Sequence, residues 1–160
     1  MKTLKILFVL CIMLAFAATA LSQGKGNQVV RPMKGTFYEQ TVDASNPSAI
    51  KSIFTGNVTH MGNITGESIL DMSKAIRTGN VITNLTNYKI KIAANGDEIY
   101  SVAYPTLVLT SPGSGTLSAI AYTTGGTGRF EGCSGQVEVS GTFNLITGYK
   151  EYTVEGWIKY

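Results

Sequence analysis

The sequence predicts an all-β fold, a single eight-stranded antiparallel β-barrel. Segments rich in Thr, Val, Ile and Tyr alternate with turns rich in Gly and Asn. The clearest segment has a period of two, with Val137, Val139, Gly141 and Phe143 on one side and polar residues on the other. After the first 22 residues, no stretch of ten or more shows a helical period with caps at both ends. Short turns between many strands favour closure, because a closed barrel has no exposed edges.

Eight candidate strands follow from these patterns. They run over about residues 33–41, 50–60, 64–72, 79–93, 97–104, 116–123, 135–144 and 150–160. The segment from Asp71 to Arg77 is the best helical candidate, but its shortness favours a turn. In the last strand Tyr152, Val154, Ile158 and Tyr160 alternate with mostly polar residues, which again indicates a half-buried strand.

Turn residues separate the candidate strands. Asn95-Gly96 is the strongest hairpin signal, because that dipeptide tolerates the positive φ angles of a type I′ turn. Gly62-Asn63 and Gly79-Asn80 are weaker turn signals. The stretch from Ser111 to Gly115, which contains Pro112-Gly113, predicts a loop.

The amino terminus predicts export. A short basic start is followed by the uncharged, mostly aliphatic run Ile6–Ala18, and then by small residues suited to cleavage after Ala20 or Ser22. The run is shorter than the roughly 20 apolar residues of a membrane helix, so no membrane anchor is expected. We therefore predict a cleaved signal peptide over residues 1–22, one barrel domain over residues 23–160, and a secreted or periplasmic protein.

Charge and composition exclude several classes of partner. Removal of Lys2 and Lys5 with the signal peptide lowers the count of basic residues from 13 to 11, against 10 acidic residues, which leaves a net charge of +1. The remaining cations are scattered, whereas nucleic-acid binding needs them clustered, so no nucleic-acid partner is expected. Beyond the signal peptide the chain has one histidine and one cysteine, so a zinc site would need carboxylates that the sequence does not group with them. We therefore predict neither a metal nor a cofactor.

The cysteine, the histidine and three asparagines could each suggest a site, but each has a simpler interpretation. Cys133 is the one cysteine beyond the signal peptide and is expected to be a buried structural residue rather than a reactive thiol. His60 is expected at a strand end. Asn57, Asn63 and Asn84 each begin an Asn-x-Ser/Thr triplet, which matters only in a eukaryotic host.

The most distinctive stretch is the glycine loop, residues 125–137, with the sequence GGTGRFEGCSGQV. Its glycines are expected to supply backbone angles or close approaches that other residues cannot, and Phe130 to pack the loop onto a barrel end. A phosphate-binding glycine loop precedes a helix, whereas this one precedes a strand. The structural residues predicted for the loop are Gly125, Gly126, Gly128, Phe130, Gly132 and Gly135.

The glycine loop resembles the signature of the allene oxide cyclase and dirigent barrels, and its ending is closer to the cyclases. Weaker similarities follow in the same order: Phe37-Tyr38-Glu39 to the cyclases' first strand, residues 54–66 to their second hairpin, and residues 149–160 to their closing strand. The resemblance spans most of the chain after the signal peptide and implies an eight-stranded barrel.

The resemblance also implies a candidate catalytic residue. In the cyclases a glutamate inside the barrel and an ordered water rearrange a fatty-acid epoxide, and Glu39 is the matching residue. Glu39 shares a strand face with Phe37, so it points inward if Phe37 fills the core. The alternative is a solvated glutamate near a strand end, beside Lys34 or Arg31. The sequence favours this alternative, because residues 43–47 do not match the cyclases' proline-bearing loop.

Strand aromatics offer a candidate binding pocket for a hydrophobic small molecule. The alternative is that they are ordinary core residues or cross-strand pairs. The predicted ligand-binding residues are Phe37, Tyr88, Tyr100 and Tyr122, with Tyr104 and Trp157 as further candidates.

Three functions are compatible with these observations. The first, which the sequence favours, is an exported barrel that binds an apolar small molecule or has a structural role, and that is not an enzyme. The second is an isomerase of the cyclase type. The third is an integral outer-membrane barrel, indicated by the alternating, aromatic-ended last strand but opposed by polar segments where a lipid-facing band is required.

Overall fold

A computed structural model describes residues 28–160 of the chain. The predicted signal peptide lies outside the described residues. Within them the chain forms ten strands and one 3-10 turn, Gly128–Phe130. The strands are β1 (Val30–Asp43), β2 (Ile50–Val58), β3 (Gly62–Asp71), β4 (Ile76–Thr78), β5 (Val81–Thr83), β6 (Thr86–Ala93), β7 (Glu98–Ser111), β8 (Ser114–Gly126), β9 (Ser134–Asn144) and β10 (Tyr149–Lys159).

Eight of these strands close into an antiparallel barrel, which confirms the predicted fold class. The order around the barrel is β7-β6-β3-β2-β1-β10-β9-β8, and pairing of β8 with β7 completes the circle. The amino- and carboxyl-terminal strands β1 and β10 pair over eleven residues, so the two ends of the described chain are held together. Closure leaves no edge among the eight strands.

The predicted strand over residues 79–93 is wrong, because the chain breaks it in two. Asn84 has a φ of 59°, a left-handed conformation that a regular strand does not contain. Strand β5, which precedes the break, lies outside the eight-stranded wall and pairs with Leu107 and Val108 of β7. Strand β4 pairs with β5 and is also outside the barrel. Only the second half of the predicted strand, β6, belongs to the barrel.

Strand β7 is longer than predicted because it continues through Pro105. A proline cannot donate a ladder hydrogen bond and is tolerated where a neighbouring strand is missing. Pairing with β6 ends at Ala103, and pairing with β5 begins at Leu107, so Pro105 lies between the two partners. On its other side β7 is paired with β8, and that pairing continues without interruption from Tyr104 through Thr106.

The connections follow the turn signals in position but not always in type. Asn95-Gly96 forms a hairpin whose left-handed residue is Gly96 alone, with a φ of 86°, so the turn is a three-residue loop rather than type I′. The loop predicted from Ser111 to Gly115 is only the two-residue turn Pro112-Gly113. The segment after Asp71 is a turn, as predicted, and not a helix.

The glycine loop covers one end of the barrel. Phe130 is fully buried there, and its ring meets the Tyr160 ring edge-to-face with centroids 5.0 Å apart. Gly128 and Gly132 have φ angles of 55° and 68°, which strongly favour glycine. A Cβ atom at Gly135 would lie 2.6 Å from the carbonyl oxygen of Trp157, so a side chain there would push two strands apart.

Cys133 is buried beside the glycine loop, as predicted, and burial raises the pKa of its thiol. We therefore expect a thiol reagent at neutral pH to label the folded protein at least about tenfold more slowly than the protein unfolded in guanidinium. Thiol release measured with and without denaturant tests this. Fast stoichiometric labelling of the folded protein would contradict the buried placement.

The last strand shows which side of the wall faces inward. Tyr152, Val154 and Ile158 are buried in the barrel core, whereas Glu151 and Glu155 on the alternate side are exposed. In the region spanning residues 28–160, no helix is long and apolar enough to cross a membrane.

Candidate functional site

A cavity of about 70 Å³ lies inside the barrel. It exists because Ala103 of β7 and Ala121 of β8, which are direct cross-strand partners, put only methyl groups into the interior. Ala119 lies beside them and also lines the space. Leu145, in the turn between β9 and β10, lines the cavity and is 48% exposed, so the cavity approaches the surface at the end opposite the glycine loop.

Glu39 lies inside the barrel, 1% exposed, on the wall of this cavity. The expectation of a solvated glutamate beside Lys34 or Arg31 is therefore wrong. Alternation along β1 is the reason, because Phe37 is fully buried and Glu39 shares its face. Phe37 also lines the cavity and stacks on the ring of Tyr152 with centroids 5.1 Å apart.

Each oxygen of the Glu39 carboxylate accepts two hydrogen bonds. Oε1 accepts from Lys150 Nζ at 2.8 Å and from Ser68 Oγ at 3.0 Å. Oε2 accepts from the Tyr152 hydroxyl at 2.9 Å and from Lys89 Nζ. A carboxylate has about four lone-pair sites, so this one is fully used by protein donors.

The charges around Glu39 keep it ionised. Burial alone raises the pKa of the carboxyl group, but the Lys89 and Lys150 ammonium groups outweigh burial and hold the pKa well below its usual range. Burial, together with the adjacent carboxylate, raises the pKa of the Tyr152 phenol well above its usual value. Glu39 is therefore an anion and Tyr152 a neutral donor near neutral pH.

Two lysines bind Glu39 from different sides of the barrel. Lys150 is the direct cross-strand partner of Glu39, and its ammonium also donates to Ser52 Oγ at 3.1 Å and Thr41 Oγ1 at 3.3 Å. All three of its N–H donors are thus engaged. Lys89 comes from β6, donates to Glu39 and Tyr152, and lies 5.1 Å from the centroid of the Phe54 ring.

A third lysine, Lys91, lies on the cavity wall and has no acidic partner among residues 28–160. It is two residues from Lys89 on the same face of β6 and is 5% exposed. Within the described part of the chain, its Nζ makes one hydrogen bond, to Ser101 Oγ at 2.6 Å. Burial lowers the pKa of Lys91 to about 7, and the neighbouring charge of Lys89 acts in the same direction.

The polar wall of the cavity is therefore cationic and incompletely paired. Lys89, Lys91 and Lys150 line the cavity together with one carboxylate, Glu39, which pairs with Lys89 and Lys150 but not with Lys91. The Oδ1 atom of Asn87, which also lines the cavity, is the one buried side-chain polar atom among residues 28–160 without a hydrogen-bond partner. Unpaired buried polar groups are costly, so both Lys91 and Asn87 are positions where a bound molecule or water would add stability.

Three of the four predicted ligand-binding residues are outside the barrel. Tyr88 and Tyr122 are 56% and 40% exposed, and Tyr100 donates its hydroxyl to the nearby Glu98. The prediction that these tyrosines line a pocket with Phe37 is corrected, because their strand positions alternate with the inward-facing ones. Tyr122 instead packs near Tyr104 on the outer wall, with ring centroids 6.4 Å apart, as in the cross-strand alternative.

The lysines and Tyr152 were not predicted as site residues. The available signal was the alternation of Asn87, Lys89 and Lys91 with Tyr88 and Ile90 on β6. A period of two separates two faces but does not say which is inside. The apolar face would ordinarily be placed inward, whereas in this strand the lysines face the interior and the aromatic and aliphatic residues face outward.

His60 takes no part in this site. It lies in the turn after β2, with a φ of 69°, and its Nε2 is 2.9 Å from the carbonyl oxygen of Pro32. Over residues 28–160, no three His, Cys, Asp or Glu side chains are grouped closely enough to hold a metal ion.

Comparison of the chain with protein-family models, with curated proteins and with solved structures found no match. The resemblance to the allene oxide cyclase and dirigent barrels therefore remains a prediction that rests on the glycine loop and the weaker similarities around it.

Proposed function

We propose that this protein is an exported barrel that binds a small, largely apolar monocarboxylate inside its cavity. The observation that carries the proposal is the unbalanced charge of the cavity wall, which carries three lysines and one carboxylate, with two of the lysines paired to it. The ligand carboxylate would lie against Lys89 and Lys91, and its hydrocarbon part against the alanines of β7 and β8.

Charge selects an anion over a neutral ligand. Lys150 has all three donors engaged, and Lys89 has two hydrogen bonds, but Lys91 has one partner and no counter-charge. Transfer of an unpaired ammonium from water to an apolar interior is unfavourable, and an anion beside it removes much of that cost. Binding is therefore expected to raise the pKa of Lys91 and to take up a proton near neutral pH.

The cavity selects a short hydrocarbon. Its volume of about 70 Å³ has room for roughly five water molecules, since one water needs about 10–15 Å³ of such space. The wall opposite the lysines is aliphatic, with Leu107, Leu117 and Val139 beside the alanines. A molecule of a few carbon atoms fits this space, and a long acyl chain does not.

Calorimetric titration with acetate, butyrate and octanoate, and with 1-butanol as the neutral match of butyrate, tests the proposal. We expect butyrate to bind at least about fivefold more tightly than 1-butanol, since charge-assisted hydrogen bonds contribute roughly 1 kcal/mol or more above neutral ones. Octanoate is expected to bind more weakly than butyrate. Equal affinity for butyrate and 1-butanol, or no binding of either, would contradict the proposal.

A cavity-filling variant tests the location. Ala121→Leu puts three more carbon atoms into the space, so we expect butyrate affinity to fall at least about tenfold. Ser118→Leu is the matched control, because it adds a leucine to the exposed outer face of the same strand. The proposal fails if the two variants bind butyrate equally well.

The cyclase-type isomerase is a second candidate, and the burial of Glu39 inside the barrel favours it. Two observations oppose it. The carboxylate has no lone pair left for a substrate proton, and its lowered pKa makes it a weak base. The cavity is also far smaller than the roughly 300 Å³ at the lower end of pockets for larger ligands. Stereoselective conversion of an unsaturated fatty-acid epoxide would reverse this preference.

The outer-membrane barrel loses its main support. That hypothesis rested on a last strand in which Tyr152, Val154, Ile158 and Tyr160 alternate and an aromatic residue comes last. The first three of these residues are buried inside the barrel and do not form an outer apolar face. The outer side of β10 carries Glu151 and Glu155, and Glu155 pairs with the exposed Lys34 at 2.6 Å. A lipid-facing band of a membrane barrel is apolar.

A further inference from the structure

We propose that Lys91 is a reactive amine that captures small apolar aldehydes as an imine inside the barrel. This activity uses the cavity of the proposed function but does not depend on anion binding. The juxtaposition that carries it is a buried, acid-free lysine on the wall of a small, mostly aliphatic cavity.

The geometry distinguishes Lys91 from the other two barrel lysines. Lys89 and Lys150 both donate to the Glu39 carboxylate, so each has an acidic partner. Across the described residues, Lys91 Nζ has the Ser101 hydroxyl as its one hydrogen-bond partner. A hydroxyl can accept from an ammonium or donate to a neutral amine, so it holds the nitrogen in place in either state.

The surroundings of Lys91 favour the neutral, nucleophilic form. Burial is the larger cause and Lys89 the second, and together they lower the pKa of Lys91 to about 7, whereas Cys133 acts weakly in the opposite direction. At neutral pH about half of the Lys91 amines are therefore free. An ordinary lysine with a pKa near 10.4 has roughly one free amine in 10³ at neutral pH, so the fraction of neutral, nucleophilic amine is far larger at Lys91.

The chemistry balances without a further reactant. The Nζ lone pair attacks the aldehyde carbon, the carbonyl electron pair moves to oxygen, and that oxygen takes up a proton. The resulting carbinolamine loses its hydroxyl as water and the nitrogen loses its second proton, which leaves a C=N bond. One aldehyde and one amine thus give one imine and one water. The two protons that leave the nitrogen equal the two that the departing oxygen takes up as water, so the net reaction needs no outside proton donor.

Borohydride trapping with butyraldehyde tests the proposal. Reduction of the imine fixes a butyl group on nitrogen, which adds C4H8 to the intact mass, and peptide mapping locates it. At neutral pH and low aldehyde concentration we expect one butyl group per chain, on Lys91. Lys91→Met and Lys91→Arg should both abolish that adduct, and the arginine variant keeps the positive charge.

Lys150 and Lys74 are internal controls. Lys150 is inside the barrel but fully paired, and Lys74 is exposed, so both should remain unmodified under these conditions. Modification spread over surface lysines or confined to the amino-terminal amine would overturn the proposal. If butyrate binds but butyraldehyde leaves Lys91 unmodified, the proposed function stands and this inference fails. If neither compound enters the barrel, both fail.

Discussion

Replacement of Glu39 by glutamine is expected to lower the free energy of unfolding by about 3–5 kcal/mol, the usual cost of removing one partner from a buried ion pair. Glutamine has nearly the same shape, but Lys89 and Lys150 would then be buried without a counter-charge. Such a loss is a large part of the total stability of a single domain, about 5–15 kcal/mol. Equilibrium denaturation in urea measures it.

The matched control is Glu155→Gln. Glu155 also pairs with a lysine, Lys34 at 2.6 Å, but both side chains are mostly exposed, so we expect a change below about 1 kcal/mol. A second check is acid sensitivity. The folded-state pKa of Glu39 lies below its unfolded value near 4.3, so its stabilisation is complete above that pH and is lost as the pH falls further. Glu39→Gln should remove this loss. A change as small as that of Glu155→Gln would refute the buried network.

Lys91→Met is expected to stabilise the protein, by roughly 1–4 kcal/mol at neutral pH. The variant replaces a buried amine that lacks an acidic partner with an apolar side chain of similar length. The folded-state pKa of Lys91 is about 7, below the unfolded value near 10.4, so the unfolded chain binds more protons between these values. The cost of the lysine is therefore complete below about pH 7 and is relieved as the pH rises toward 10.

Paired denaturation curves of wild type and Lys91→Met at several pH values test this prediction. The difference between them should be greatest at pH 7 and below and should shrink by pH 10. Lys89 and Cys133 are the charged or titrating groups nearest Lys91, and both are unchanged in the variant. Lys74→Met, at an exposed site, should show no comparable trend. A pH-independent difference, or a variant less stable than wild type at pH 7, would contradict the assignment.

Alternation and turn residues were sufficient to predict the barrel, because each barrel strand has a period of two and each hairpin has a local turn signal. They did not predict the break at Asn84, because that break depends on the pairing of β5 with β7, which is a tertiary contact. The predicted end of β7 near residue 104 is wrong for a similar reason, because β7 continues through Pro105. A proline can lie within a strand where no neighbouring strand pairs with it on one side, and the local sequence does not show whether such a neighbour is present.

The site was predictable only in part. Phe37 and Glu39 could be placed on one inward face by spacing along β1. Lys89 and Lys150 could not, because their burial depends on an acidic partner, Glu39, that is far from them in the sequence. Lys150 is 111 residues from Glu39, and Lys89 is 50 residues from it. Tyr88 shows the same limitation, since its outward placement on β6 follows from the inward placement of Lys89 and Lys91 on that strand.

Isotope-edited NMR of butyrate bound to the methyl-labelled protein tests most directly whether the barrel interior is a binding site for small carboxylates. We predict nuclear Overhauser contacts from the butyrate chain to the methyl groups of Ala103 and Ala121, with a shift of the Lys91 Nζ resonance toward its protonated position. Contacts confined to the exposed rings of Tyr104 and Tyr122 on the outer wall, or no contacts at saturating butyrate, would contradict the account.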